Sequence, residues 1–142
     1  MSIESVDWLA VAIGTISAFL VGSIWFSPKT FFPVWWKALG KEAGGDPGAG
    51  QSMGMVFGLT ALGALVQALV LALVVGVIRS SGTDVNFLGG ALVGALMGVG
   101  FAAAPALGHR LFGQQGLKVW AIESGGDILG LIAMGAVIGA FA

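Results

Sequence analysis

The sequence predicts an all-α integral membrane protein: four transmembrane helices plus a short interfacial amphipathic helix in the first cytoplasmic loop. Three observations predict it. Four apolar runs, Trp8–Phe26, Met53–Ile78, Phe87–Leu107 and Val119–Phe141, are each close to the ~20 residues a helix needs to cross a hydrocarbon core of ~30 Å. The 142-residue chain is 57% hydrophobic and 9% charged, against about 25% charged in a soluble domain, so lipid must cover what polar groups cannot. The basic residues gather in one set of loops. The whole chain, 1–142, reads as a single four-span domain.

Glu4 and Asp7 precede the first run where a cleaved signal would carry basic residues, and no small-residue cleavage site follows it, so this span is expected to stay in the mature protein. It ends in Gly22-Ser23-Ile24-Trp25-Phe26-Ser27-Pro28. Pro28 disfavours a helical conformation at Ser27 and terminates the helix. Trp25 and Phe26 then lie at headgroup depth as interfacial anchors. From Pro33, a helix over about 32–42 would put Phe32, Trp35, Trp36 and Leu39 on one face and Lys37 and Lys41 on the other. Trp35 and Trp36 opposite lysine describe a helix lying in the membrane interface, with Pro33 suited to its first turn. Residues 43–52, rich in glycine, read as a flexible linker.

The second run carries Gln67 near its middle, read chiefly as interhelical glue. The third ends in Ala-Ala-Ala-Pro at Pro105, echoing the proline that closes the first. Two helix pairs, each with a proline before a basic loop, would make a parallel repeat of the kind some transporters use. The fourth run contains Glu123 and Asp127, where charge is expensive.

Lys29, Lys37 and Lys41 lie in the loop Ser27–Ser52, and Arg110 and Lys118 in the loop Gly108–Lys118. The other side offers only Arg79, a balance of five to one. By the positive-inside rule the two basic loops are expected in the cytoplasm and both termini outside.

Small residues recur at four-residue intervals in every span, as in Ala10, Gly14, Ala18 and Gly22, or Gly90, Gly94 and Gly98. Such faces let helix backbones approach closely. Four helices need fewer of them than this chain supplies, which points to a homo-oligomer or a larger membrane complex.

Other functions find no support. A net charge of −1 provides no field for nucleic acid. With no cysteine and one histidine, His109, no metal or cofactor is expected in a single chain. His109 reads as an interfacial residue. No nucleophile–base set or phosphate-binding loop marks an enzyme.

The candidate chemistry lies with Glu123 and Asp127, which a continuous helix stacks on one face. Two adjacent carboxylates resist joint ionisation and would suit a proton or cation relay. Gly125 and Gly126 between them would interrupt the helix and free carbonyls for an ion. The competing reading is a polar clamp, with the acids near a helix N-terminus and paired with Arg110 or Gln67; Gln67 is placed to bond Asp127, and Arg110 or Lys118 to pair with Glu123. Two roles follow. One is an oligomeric ion, proton or small-solute pathway; the other is an accessory or assembly subunit of a larger complex with no activity of its own.

The stretch Trp8–Trp36, with its Trp25-Phe26-Ser27-Pro28 segment followed by Phe31, Phe32 and Trp35-Trp36, resembles the family of small bacterial membrane proteins catalogued as domain of unknown function 1761. The glycine-rich end of the last span, Met134-Gly135-Ala136-Val137-Ile138-Gly139, is similar too. The resemblance implies four spans and a bacterial inner-membrane location, and brings no activity. Family members more often carry Asn and His at the positions of Glu123 and Asp127, so it implies polarity there rather than acidity.

Overall fold

The computed structural model describes residues 2–46, 48 and 50–141. All its regular elements are helical: a 3₁₀ turn Ile3–Ser5, α1 Trp8–Trp25, α2 Phe32–Ala38, α3 Met53–Ser80, α4 Phe87–Met97, a π-helical turn Gly98–Ala103, α5 Ala104–Phe112 and α6 Gly116–Ala140. Four segments, α1, α3, α6 and the continuous run Phe87–Phe112, are long and apolar enough to cross a membrane. This is a multi-pass membrane protein. One end of the bundle carries both termini and the turn after α3; the other carries α2 and the basic loops.

Local chemistry sets the boundaries. The Asp7 carboxylate accepts from the Leu9 and Ala10 amides at 3.0 and 3.2 Å and starts α1. Ser52 and Asn86 do the same for α3 and α4, meeting amides that have no partner within their own helix. The α1 helix stops at Trp25, as the Ser-Pro pair requires, and the Thr30 hydroxyl turns back onto the Trp25 carbonyl at 2.7 Å. The interfacial helix is shorter than expected, ending at Ala38 rather than near residue 42. Gly40, at φ +80°, allows a Schellman turn in which Gly40 donates to the Lys37 carbonyl and Lys41 to that of Trp36. Of the expected linker, Pro47 and Ala49 lie outside the described residues.

Pro105 does not end the third span. The helix continues to Phe112, because the turn Gly98–Ala103 is wound wider, with Ala104 donating to the Val99 carbonyl five residues back. A proline lacks an amide and its ring crowds the carbonyl four residues earlier; the wider turn makes room for it. The two prolines therefore do different jobs, which removes the basis for the parallel repeat.

The central helix is α6. Its span is 50% buried, against 17% for α1 and α3. It packs most extensively on α4, then on α1. The α4–α6 contact is glycine on glycine. A Cβ added to Gly135 would stand 3.0 Å from the Gly90 carbonyl carbon and 3.2 Å from the Gly94 Cα; one added to Gly90 would meet the backbone of Gly135 and Gly139 at 2.9 Å. The small faces of these two spans are thus consumed within one chain.

The core lies in the half of the bundle nearer the termini, where Val11, Leu71, Val75, Leu131, Met134 and Ile138 are buried together. Arg79 closes this end. It donates to the carbonyls of Phe141 at 3.0 Å, Gly139 at 2.9 Å and Val85 at 2.6 Å, placing a cation on the negative end of the α6 dipole. In the other half, α3 stands off. Met55, Phe57, Leu59 and Leu62 are each more than half exposed, and nothing lies within 4 Å of a Cβ at Gly58 or Gly63.

Candidate functional site

The two carboxylates are stacked on α6 as expected but belong to different environments. Glu123 is a clamp. Arg110, at the end of α5, grips it with Nε and Nη2, reaching both oxygens at 2.6 and 2.8 Å. Its side chain is 19% exposed and that of Arg110 33%. Trp35 of α2 donates its indole N–H to Oε1 at 3.0 Å, and Arg110 also bonds the Gln115 carboxamide. One carboxylate thus ties α2, α5 and α6 together in a fork geometry that fixes orientation as well as charge. Lys118 and His109 are exposed and take no part in this network. Trp35 therefore does more than anchor α2 at an interface, and its sequence signal was only that of an aromatic face.

Gly125 and Gly126 do not break α6, which is continuous over Gly116–Ala140. They form a notch for the indole of Trp25. A Cβ on Gly125 would be 2.7 Å from the ring, and one on Gly126 2.9 Å. Without side chains there, Trp25 reaches the helix backbone and donates to the Ile122 carbonyl at 2.8 Å. Its ring lies 4.3 Å from that of Phe31. Phe26 meets Trp35 edge-on at 5.2 Å, and Trp36 donates to the Glu42 carbonyl at 2.7 Å. Pro28 is exposed. The anchors of the first loop are thus keyed into the bundle. Trp120 adds a brace that the sequence did not suggest, donating to the Ala103 carbonyl at the end of the π-helical turn, at 2.7 Å.

Asp127 is left free. One turn along from Glu123, it lines a groove between α1, α3 and α6 of about 620 Å³. Among the described residues it has no hydrogen-bond or salt-bridge partner, and neither does the Gln67 side chain, which lines the same groove. The expected Gln67–Asp127 bond is not formed, because the half of α3 toward the basic loops stands away from α6. The groove's two hydroxyls turn inward to their own helices: Ser23 donates to the Phe19 carbonyl at 2.8 Å and Thr60 to that of Val56 at 2.7 Å. Phe19, Phe26 and Phe57 supply its apolar wall. Among the described residues no group of three or more His, Cys, Asp or Glu side chains is placed to hold a metal ion.

A family model described as "Protein of unknown function (DUF1761)" matches residues 9–139, nearly the whole chain. Comparison with curated proteins and with solved structures gave no match.

Proposed function

The chain belongs to the DUF1761 family, and on the geometry just described we propose that it forms a proton- or cation-dependent solute pathway through the membrane, centred on Asp127. The observation that carries this reading is a carboxylate that faces a groove within a membrane-spanning helix and, among the described residues, forms no hydrogen bond or salt bridge, the Arg110 guanidinium being held by Glu123. Such a group is costly at that depth and takes up a mobile partner, a proton or a cation. The helix starts at Gly116, so Asp127 lies about 16 Å along it, next to the Gly125 and Gly126 notch that holds Trp25 and therefore just inside the level of the aromatic anchors. Glu123 serves as the clamp that holds α6 in register while Asp127 does the binding. The role is passage rather than catalysis.

The rest of the proposal follows the distribution of charge and small residues. The basic loops face the cytoplasm of a bacterial inner membrane and the termini face outside. Copies associate along α3, where Gly54 and Gly58 are four apart, with nothing within 4 Å of a Cβ at Gly58 and only the Ser52 hydroxyl near one at Gly54. Native mass spectrometry of the gently solubilised protein tests the assembly. A homo-oligomer supports it, whereas stoichiometric capture with other chains points to the accessory role.

The test of the pathway is flux. Protein reconstituted in liposomes should show a proton or cation leak that depends on an imposed gradient, abolished by Asp127→Asn in a variant that keeps its helical signal and thermal stability. Unchanged flux in a well-folded Asp127→Asn protein removes Asp127 from the mechanism.

A further inference from the structure

The groove has a chemistry of its own that narrows what Asp127 binds. An inorganic divalent cation asks for six or more oxygen ligands in a near-closed shell. This groove offers at most five side-chain oxygens, two from Asp127 and one each from Gln67, Ser23 and Thr60, the last two giving their protons to their own helices. Its remaining wall is apolar and includes the rings of Phe19, Phe26 and Phe57. A single negative charge in an aromatic, apolar trough is complementary to a single positive charge spread over an apolar body. The carboxylate would supply the counter-ion, the ring faces cation–π attraction, and the trough the apolar contact area. A volume of about 620 Å³ lies within the ~300–1,000 Å³ of ordinary small-molecule sites.

The direction of access follows from α3. Its segment from Met53 to Gly63 stands off from the bundle, with Phe57 55% exposed and Leu59 61%. Nothing lies within 4 Å of a Cβ at Gly22 or Gly63, which line the groove. The opening is therefore sideways, between helices, where the bilayer is the surrounding solvent.

We infer that the groove between α1, α3 and α6 binds a lipophilic organic monocation, of the ammonium or phosphonium class, which enters from the bilayer and pairs with Asp127. The inference rests on the proposed role of Asp127 and specifies its ligand.

The test is equilibrium binding of tetraphenylphosphonium to the full-length protein in lipid nanodiscs, with tetraphenylborate as an anion of the same size and shape. Both ions partition into lipid, so binding is read as the excess over protein-free nanodiscs: a saturable excess of the cation and none of the anion is expected. Asp127→Asn should weaken it by about tenfold or more, the scale of losing one ion-pair partner in a largely desolvated site. Gly63→Phe, which fills the trough where the structure leaves room, should weaken it similarly while leaving Asp127 in place. Equal binding by wild type and Asp127→Asn, or equal binding of the borate, would overturn the inference in favour of plain apolar partitioning. Absence of phosphonium binding would overturn it too. If Asp127-dependent flux persists in that case, the pathway stands and only the ligand class falls; if flux is absent as well, both fall. Phosphonium binding that depends on Asp127 without any flux keeps the site and removes the pathway.

Discussion

Replacing Gly135 by alanine tests the packing at the centre of the molecule. The added methyl would stand 3.0 Å from the Gly90 carbonyl carbon and 3.2 Å from the Gly94 Cα, with the Gly90 oxygen nearer still. Carbon atoms pack best at about 3.5–4.0 Å, so α4 and α6 would have to part by roughly 1 Å. All three obstacles are backbone, and no side-chain rotamer can give way. Overpacking of this kind costs typically ~1–3 kcal/mol. Parting the helices also weakens close backbone contacts worth ~0.5–1 kcal/mol each. Against this stands the gain of about 1 kcal/mol when alanine replaces glycine in a helix. The net expectation is a loss of about 2–3 kcal/mol, near the upper part of that range because α4–α6 is the largest helix contact. The assay is reversible unfolding in mixed micelles, followed by tryptophan fluorescence and circular dichroism. Gly108→Ala, in α5, is the control. Its new methyl has nothing within 4 Å, so only the propensity gain remains and stability should be unchanged or higher. The double variant Gly90→Ala/Gly135→Ala should cost less than the sum of the two, since the first already parts the helices. If Gly135→Ala unfolds within about 0.5 kcal/mol of wild type, or if Gly108→Ala is the more damaging, the glycine-on-glycine account is wrong.

Two further outcomes follow from the same geometry. Glu123→Gln removes the charge that Arg110 grips on a partly exposed carboxylate and should cost about 1–2 kcal/mol. It should raise hydrogen exchange in α2 and leave the Asp127-dependent flux in place, and a loss of flux with unchanged stability would reverse the roles assigned to the two acids. Arg79→Met leaves three carbonyls at the end of α6 without their donor and should cost about 1–3 kcal/mol. Faster exchange confined to Val137–Phe141 and the turn before α4 is the signature; unchanged protection there would mean the arginine is idle.

How much of this was legible beforehand depends on the range of the interaction concerned. Hydropathy is a sum over neighbours in the chain, so the four spans, the stop at Ser27-Pro28 and the start of each capped helix could be read directly. Pro105 could not, because a proline ends a helix or is carried through it according to whether the preceding turn can widen. The polar residues show the same divide. Glu123 and Asp127 were both visible as acids one turn apart, and Arg110 was among the partners considered for Glu123. Their separation into a clamped carboxylate and a free one depends on α5 and α2 closing over one turn of α6 while α3 stands off from the next. Gly125 and Gly126 carry no sign in sequence that their vacant space belongs to Trp25, 100 residues earlier by number. Composition and periodicity thus determined that this chain lives in a membrane, where its helices run and which polar residues bear a cost there. Only the tertiary packing decided which of those residues is paired, which is left facing a groove and which glycines are filled by a neighbour. Burial and pairing are properties of helices brought together across the fold, and the identity of a residue does not contain them.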